Sequence, residues 1–170
     1  MTAEFTLRRA TAEDAEALAR GADEGVRGYG EFAPGWSGPG YEQELAHARE
    51  ALKDPEYHAF VAEAGGAIAG QVAVLAADAT ALPAGDPTLG HVRNLFVARE
   101  FWGSGVGTAL LAAAVGDARE RGFAAVRLFV AEGQARARRF YEREGWHAVT
   151  EPYFDPIPRL SMVEYRRPIG

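Results

Sequence analysis

The spacing of apolar positions along the chain changes period repeatedly, and each change marks an element. Residues 5–9 alternate apolar with polar side chains, as a half-buried strand does. A helical spacing follows, with Ala15, Leu18, Ala19 and Ala22 on one side. Thr11 is its expected N-cap and Asp14 the partner in a capping box, while Gly21 and Gly25 are expected to weaken its end. Tyr41, Leu45, Ala48 and Leu52 give a second helix over 41–52, stopped by Asp54-Pro55. Strands are then predicted at 57–64 and 67–77, joined by Gly65-Gly66, and at 89–97 after a surface loop over 83–87. Helical spacing returns at Val106, Leu110, Ala114 and Ala118, with Leu111 and Val115 beside them. A strand at 125–131, a helix at 134–144 closed by Gly145, and strands at 146–150 and 160–166 complete the chain.

This order predicts an α/β (α+β) fold: a mixed, mostly antiparallel sheet of about seven strands flanked by about four helices. With 170 residues and no internal repeat, one domain over 1–170 is expected.

The stretch Trp102-Gly103-Ser104-Gly105-Val106-Gly107-Thr108 joins a predicted strand to a predicted helix. The first amides of a helix lack intrahelical partners and point outward at the positive end of the helix dipole. Alternate glycines let a phosphate approach that backbone without meeting side chains. A phosphate site is therefore expected here. The dinucleotide fingerprint fails, because Thr108 and Leu110 stand where a third glycine or alanine is needed, and Val126 and Arg127 where an acid is needed. A nucleotide P-loop fails for want of a Gly-Lys-Ser/Thr sequence.

Composition removes several classes. A formal charge of −6 argues against nucleic acid as a partner and mildly favours a cationic substrate. The absence of cysteine excludes disulfides, thiolate metal sites and a cysteine acyl-enzyme. His47, His58 and His147 have no metal-ligand spacing, so no metal is expected. No targeting signal is visible and the longest apolar stretch, near residues 65–77, is too short to span a bilayer. A cytoplasmic enzyme without a membrane partner is the expectation.

Residues 102–107 resemble the pyrophosphate loop of the acyl-CoA-dependent GNAT N-acyltransferases, Gln/Arg-x-x-Gly-x-Gly/Ala, with Trp102 in place of the Gln or Arg. Val130, Gln134, Ala137, Tyr141 and Gly145-Trp146 resemble a second motif of that superfamily, Val-x-x-x-Asn-x-x-Ala-x-x-x-Tyr-x-x-x-Gly-Phe, with Gln134 for Asn and Trp146 for Phe. The element order is also similar, so the resemblance covers nearly the whole chain.

The resemblance implies an N-acetyltransferase moving an acetyl group from acetyl-CoA to a primary amine, directly in a ternary complex. It implies cofactor contacts from Leu95, Phe96, Val97, Trp102, Gly103, Ser104, Gly105, Val106, Gly107, Thr108, Gln134, Ala137 and Tyr141. A backbone amide near Phe96 or Val97 would polarise the thioester carbonyl. Tyr141 is the implied general acid, and His91, at the place where some relatives carry a glutamate, the implied general base. Tyr29, Glu31, Phe32 and Trp36, in a glycine-rich stretch crowded with aromatics, are the expected wall of the acceptor pocket, with Asp23 and Asp155 in reserve for a cationic acceptor. The acceptor, a small molecule or a peptide amine, is left open, as is a homodimer. Two other classes stay open: a non-catalytic acyl-CoA-binding module on the same fold, and a nucleotide-binding protein of another kind.

Overall fold

The structure is a computed structural model and describes residues 4–80 and 86–170, so Pro83, Ala84 and Gly85 of the expected surface loop lie outside the described residues. Among the described residues, eight strands form one sheet: β1 (Thr6–Arg9), β2 (His58–Ala64), β3 (Ala67–Ala76), β4 (Leu89–Val97), β5 (Ala125–Ala131), β6 (His147–Ala148), β7 (Tyr153–Asp155) and β8 (Leu160–Pro168). The spatial order is β1-β2-β3-β4-β5-β8-β6, with β7 also paired to β8. Of the described strand pairs, only β4 and β5 run parallel. One strand, β7, was not expected. It lies in the proline-rich connection, where three residues are too few to show a period.

Among the described residues four α-helices flank the sheet: α1 (Ala15–Arg27), α2 (Tyr41–Ala51), α3 (Val106–Glu120) and α4 (Ala135–Arg143). On one face α3 buries Val106, Leu110, Leu111, Ala114, Val115 and Ala118 against Val72, Val74, Val92 and Val126. Gly70 of β3 makes this close approach workable, because a Cβ there would sit 2.8 Å from Leu110 Cδ1 and from the Phe96 carbonyl oxygen. Leu110 is fully buried, so Leu110→Ala would leave a cavity costing about 2–5 kcal/mol. On the opposite face α1 and α2 cover Ala59, Val61 and Ala73 through Leu18, Ala48 and Leu52.

The glycines of α1 do not weaken it as expected. The helix continues through both to Arg27. A Cβ at Gly21 would lie 2.3 Å from Gln71 Oε1, and one at Gly25 would lie 3.3 Å from Phe96 Cδ2. These glycines let α1 sit directly on β3 and β4, and that packing outweighs their low helix propensity. Thr11 and Asp14 do form a capping box, but around a short 3-10 turn (Ala12–Asp14) that leads into α1. Asp14 also takes two bonds from Arg8 at 2.8 Å, tying the turn to β1.

Candidate active site

The site begins where two strands part. β4 and β5 pair only over Leu89–Ala125, Gly90–Val126 and His91–Arg127. Past that last rung their facing edges have no common ladder, so a wedge opens between residues 92–97 and 128–131. Two register disturbances reinforce it: β4 bulges against β3 between Gln71 and Ala73, and Asn94 takes a φ of 55°. The Ala98 amide donates to the Ala69 carbonyl at 2.9 Å. Backbone polar groups alternate sides along a strand, so Phe96 faces β3 whereas Leu95 and Val97 face the wedge. Of the two amides expected to polarise a carbonyl, the Val97 amide is the one so placed. The Phe96 ring instead packs on Gly21 and Gly25 of α1.

At the open end of the wedge the glycine loop forms the start of α3. Gly103 and Gly105 adopt φ of 77° and 92°, and nothing stands within 4 Å of where a Cβ would be at either. Gly105 is the N-cap of α3. Among the described residues the amides of Gly103, Gly105, Val106, Gly107 and Thr108 donate to no protein acceptor, while Ser104 and Ala109 donate to the carbonyls of Phe101 and Gly105. Five outward amides at the head of a 15-residue helix make an anion cradle that suits a pyrophosphate. Ser104 is buried and its hydroxyl donates to the Phe101 carbonyl, and Thr108 donates to Glu144 Oε1 at 2.9 Å. Both expected cofactor hydroxyls are therefore spent on holding the loop and on tying α3 to α4.

Trp102 lies over the same end. Its indole nitrogen donates to the Val97 carbonyl at 2.9 Å, and the Arg136 and Arg99 guanidinium carbons stand 3.5 Å and 4.9 Å from the ring centroid. Arg136 is held below the usual guanidinium range by burial, then by Arg143 and Arg99, which marks a gathering of cations beside the cradle. Sequence reading missed all three arginines, although Arg136, Arg139 and Arg143 recur at helical spacing along α4.

The half-buried Tyr141 of α4 packs on the same core as Leu95 and Val97. Its ring packs against Phe140, Trp146 and Tyr165 with centroids 5.4, 6.1 and 6.3 Å away, but its hydroxyl has no hydrogen-bond partner among the described residues. Burial pushes its pKa well up, and nearby Tyr29 adds to the shift, so the phenol stays protonated through neutral pH. Tyr29 belongs to the other side of the sheet. With Phe32 (5.7 Å) and Trp36 (5.0 Å) it forms a cluster on Ala131, Leu160 and Met162. Trp36 Nε1 donates to the Pro158 carbonyl at 2.6 Å, and Phe32 fills the space over Gly133. The expected acceptor wall is thus a packed assembly. Glu31 stands apart from it, exposed and 4.0 Å from Arg99. Asp23 pairs with Arg27, and Asp155 caps the turn at Ile157.

A family model described as the Acetyltransferase (GNAT) family matches residues 23–146, which include the wedge, the cradle and Tyr141. The chain belongs to the GNAT acetyltransferase family. A GNAT acetyltransferase from Desulfovibrio desulfuricans is 25% identical with a TM-score of 0.73, over 98% of this chain and 100% of that one. Nourseothricin acetyltransferase is 30% identical with a TM-score of 0.59, over 69% and 68% of the two chains. The ribosomal-protein-alanine N-acetyltransferase of Brucella melitensis, 19% identical, shares the fold with a TM-score of 0.70 over 96% and 99%. No curated protein matches the chain.

Within this GNAT frame Gln134 is the N-cap of α4, bonded through its backbone to Ala131 and Arg138, with no hydrogen bond from its side-chain amide among the described residues. Ala137 packs on the main core. His91 is 4% exposed, and its Nδ1 accepts from Arg127 Nε at 3.3 Å. Burial, Arg127 and Arg93 hold its pKa down to about 3, so it is too weak a base to take a proton from an ammonium near neutrality. Arg127 itself is fully buried beneath Phe129, its guanidinium carbon 5.0 Å from the ring centroid. In the sequence it stands out only as the one charge in an otherwise apolar strand.

Among the described residues no group of three His, Cys, Asp or Glu is placed to hold a metal ion, and no helix is long and apolar enough to cross a membrane.

Proposed function

We propose that the protein transfers an acetyl group from acetyl-CoA to a primary amine, the two bound together at the wedge. The observation that carries this reading is the continuity of the open β4 edge with the five free amides of the cradle. The residues fit the cofactor: the glycines leave the cradle accessible, and Arg136 and Arg99 add positive charge beside it. Bound acetyl-CoA supplies the activated acyl group.

The chain's own residues do the rest. The amides of Gly103, Gly105, Val106, Gly107 and Thr108 hold the pyrophosphate. Leu95 and Val97 offer backbone groups to an extended chain lying beside β4, as an absent strand would be held. The Val97 amide is a fixed donor for a carbonyl oxygen gaining charge. Tyr141 keeps a proton on Oη at neutral pH, ready for a departing thiolate. Tyr29, Phe32 and Trp36 wall the opposite mouth, where the amine enters. The fold sets reactants side by side, which by itself removes much of the entropic barrier.

The test is a panel of amines assayed with acetyl-CoA by release of free thiol. It includes nourseothricin and an alanine-terminated peptide, the acceptors indicated by the names of two structural relatives. Turnover with at least one amine is expected. Tight binding of acetyl-CoA with no turnover across a broad panel would favour a non-catalytic binding module.

A further inference from the structure

Several arginines away from the cradle are matched to carboxylates. Arg8 pairs with Asp14 and Glu63, Arg27 with Asp23, Arg121 with Asp117 and Glu56, and Arg166 with Glu164. Beside the cradle the pattern differs. Arg136 and Arg143 make no ion pair or hydrogen bond among the described residues. Arg99 has Glu31 alone, 4.0 Å away, with both side chains exposed. Glu142 and Glu144, which flank Arg143 in sequence, accept instead from Tyr165 and Thr108. With 24 acids against 18 lysines and arginines, the chain does not lack carboxylates to place there.

The geometry gathers these cations at one spot. The Arg136 and Arg99 guanidinium carbons lie 3.5 Å and 4.9 Å from the centroid of the Trp102 ring, and Trp102 directly precedes Gly103 of the cradle. Arg143 lies about two turns further along the same face of α4. A guanidinium over a ring keeps its N–H groups at its edge, free for an acceptor. Gathered like charges repel, and burial, Arg143 and Arg99 together hold Arg136 below the usual guanidinium range. A bound anion relieves that repulsion.

The five free amides already suit a pyrophosphate. The arginines suit a further anionic group carried close to it. Coenzyme A has one, a phosphate on the 3′-oxygen of the ribose that also bears the pyrophosphate. Such a monoester is nearly a dianion at neutral pH, and arginine forks match its oxygens in pairs.

We propose that Arg136 and Arg99, beside Trp102, form with Arg143 a second phosphate site that takes the 3′-phosphate of coenzyme A and so selects the 3′-phosphorylated cofactor. The inference rests on the acetyl-CoA reading of the cradle. It gives the arginines a choice that the amides cannot make, because coenzyme A and its 3′-dephospho form carry the same pyrophosphate.

The test is calorimetric titration of the full chain with coenzyme A and with 3′-dephospho-coenzyme A in low-salt buffer. The unaltered protein should bind coenzyme A about tenfold more tightly or better, the scale of one charge-assisted contact. Added salt should narrow the gap, since exposed charges are screened. In Arg136→Gln, affinity for coenzyme A should fall close to that for the dephospho form, which itself should hardly change. Arg99→Gln should lose less, because Glu31 already shares that charge. Both positions are exposed, and melting curves check that the variants fold.

Equal affinity of the unaltered protein for the two ligands overturns the second phosphate site and leaves the acetyl-transfer reading standing. An equal loss for both ligands in Arg136→Gln also overturns it, by giving that arginine to the pyrophosphate. So does a preference that Arg136→Gln retains in full. Binding of neither ligand to the unaltered protein overturns the acetyl-CoA reading, and the second site with it. Should Arg136→Gln not fold, the two ligands compared on the unaltered protein decide alone.

Discussion

The Trp102 indole donates to the carbonyl of Val97, so the side chain that departs from the family loop motif closes a hydrogen bond onto the open edge of β4. A carbonyl facing the wedge would otherwise be left for a ligand or solvent. This bond couples the glycine loop to the strand that holds the reacting groups.

Trp102→Phe should remove that bond while keeping a ring beside Arg136. Trp102 is 45% exposed, so stability should fall by no more than about 1 kcal/mol in thermal or denaturant unfolding. Trp102→Gln restores the residue type that the family motif carries there and frees the Val97 carbonyl. It should bind acetyl-CoA at least as tightly in calorimetry. A Kd raised tenfold or more would show that the indole itself forms part of the cofactor site.

Gly105→Val should abolish or greatly weaken acetyl-CoA binding. The residue sits at φ 92°, where a β-branched side chain is strained, and its Cβ would project into the space before the cradle. Gly107→Ala should be mild, because a Cβ there meets Phe140 and Val97 at 3.5 Å, an ordinary contact distance. Retained affinity in a folded Gly105→Val would remove the loop from the binding site.

Tyr141→Phe should lower kcat by about 100- to 10,000-fold, the usual contribution of a positioned general acid. Its hydroxyl makes no hydrogen bond within the described residues, so unfolding stability should hardly change. Acetyl-CoA affinity should also persist. A donor with a more acidic thiol should suffer a smaller penalty. Full turnover by the variant in a chemistry-limited assay would leave Tyr141 as packing alone.

Acidification should destabilise the protein earlier than its carboxylates would require. His91 takes up a proton in the unfolded chain near pH 6.5 but in the folded one only near pH 3, so the unfolded state binds more protons between those values. Stability therefore falls as pH drops below about 6.5. At about pH 4.5 the loss from this residue approaches roughly 2–3 kcal/mol, on the scale of 1.36 kcal/mol per unit. His91→Gln should flatten the curve of melting temperature against pH in that window. Parallel curves for the two proteins would show that the ring titrates normally.

Replacing Phe32 and Trp36 by Ala should raise KM for the amine and leave acetyl-CoA affinity nearly alone. The two rings lie with Tyr29 on Ala131, Leu160 and Met162, across the sheet from the core face that carries α3 and α4. An equal loss of acetyl-CoA affinity would make the cluster part of the cofactor site or of the core.

Local chemistry made much of this protein legible in its sequence. β4 and β5 have the limits predicted, 89–97 and 125–131, because a buried strand shows as a mainly apolar run bounded by turn residues, even with Arg93, Asn94 and Arg127 inside. The loop at 103–107 was readable because left-handed backbone and close ligand approach both select glycine, whatever lies elsewhere. Tyr141 was marked by its place in a family motif.

What stayed hidden depends on residues distant in sequence. The wedge exists because β5 follows β4 for only three rungs while its other edge pairs with β8 along its whole length, an arrangement no local pattern records. Gly21 and Gly25 looked like weak points until Gln71 and Phe96 came against them. The same holds for His91: an isolated imidazole titrates near neutrality, but Arg127, 36 positions along the chain, meets it in a dry interior. Composition supplied the histidine, and only the tertiary structure decided its charge, because desolvation and a neighbouring cation act through space.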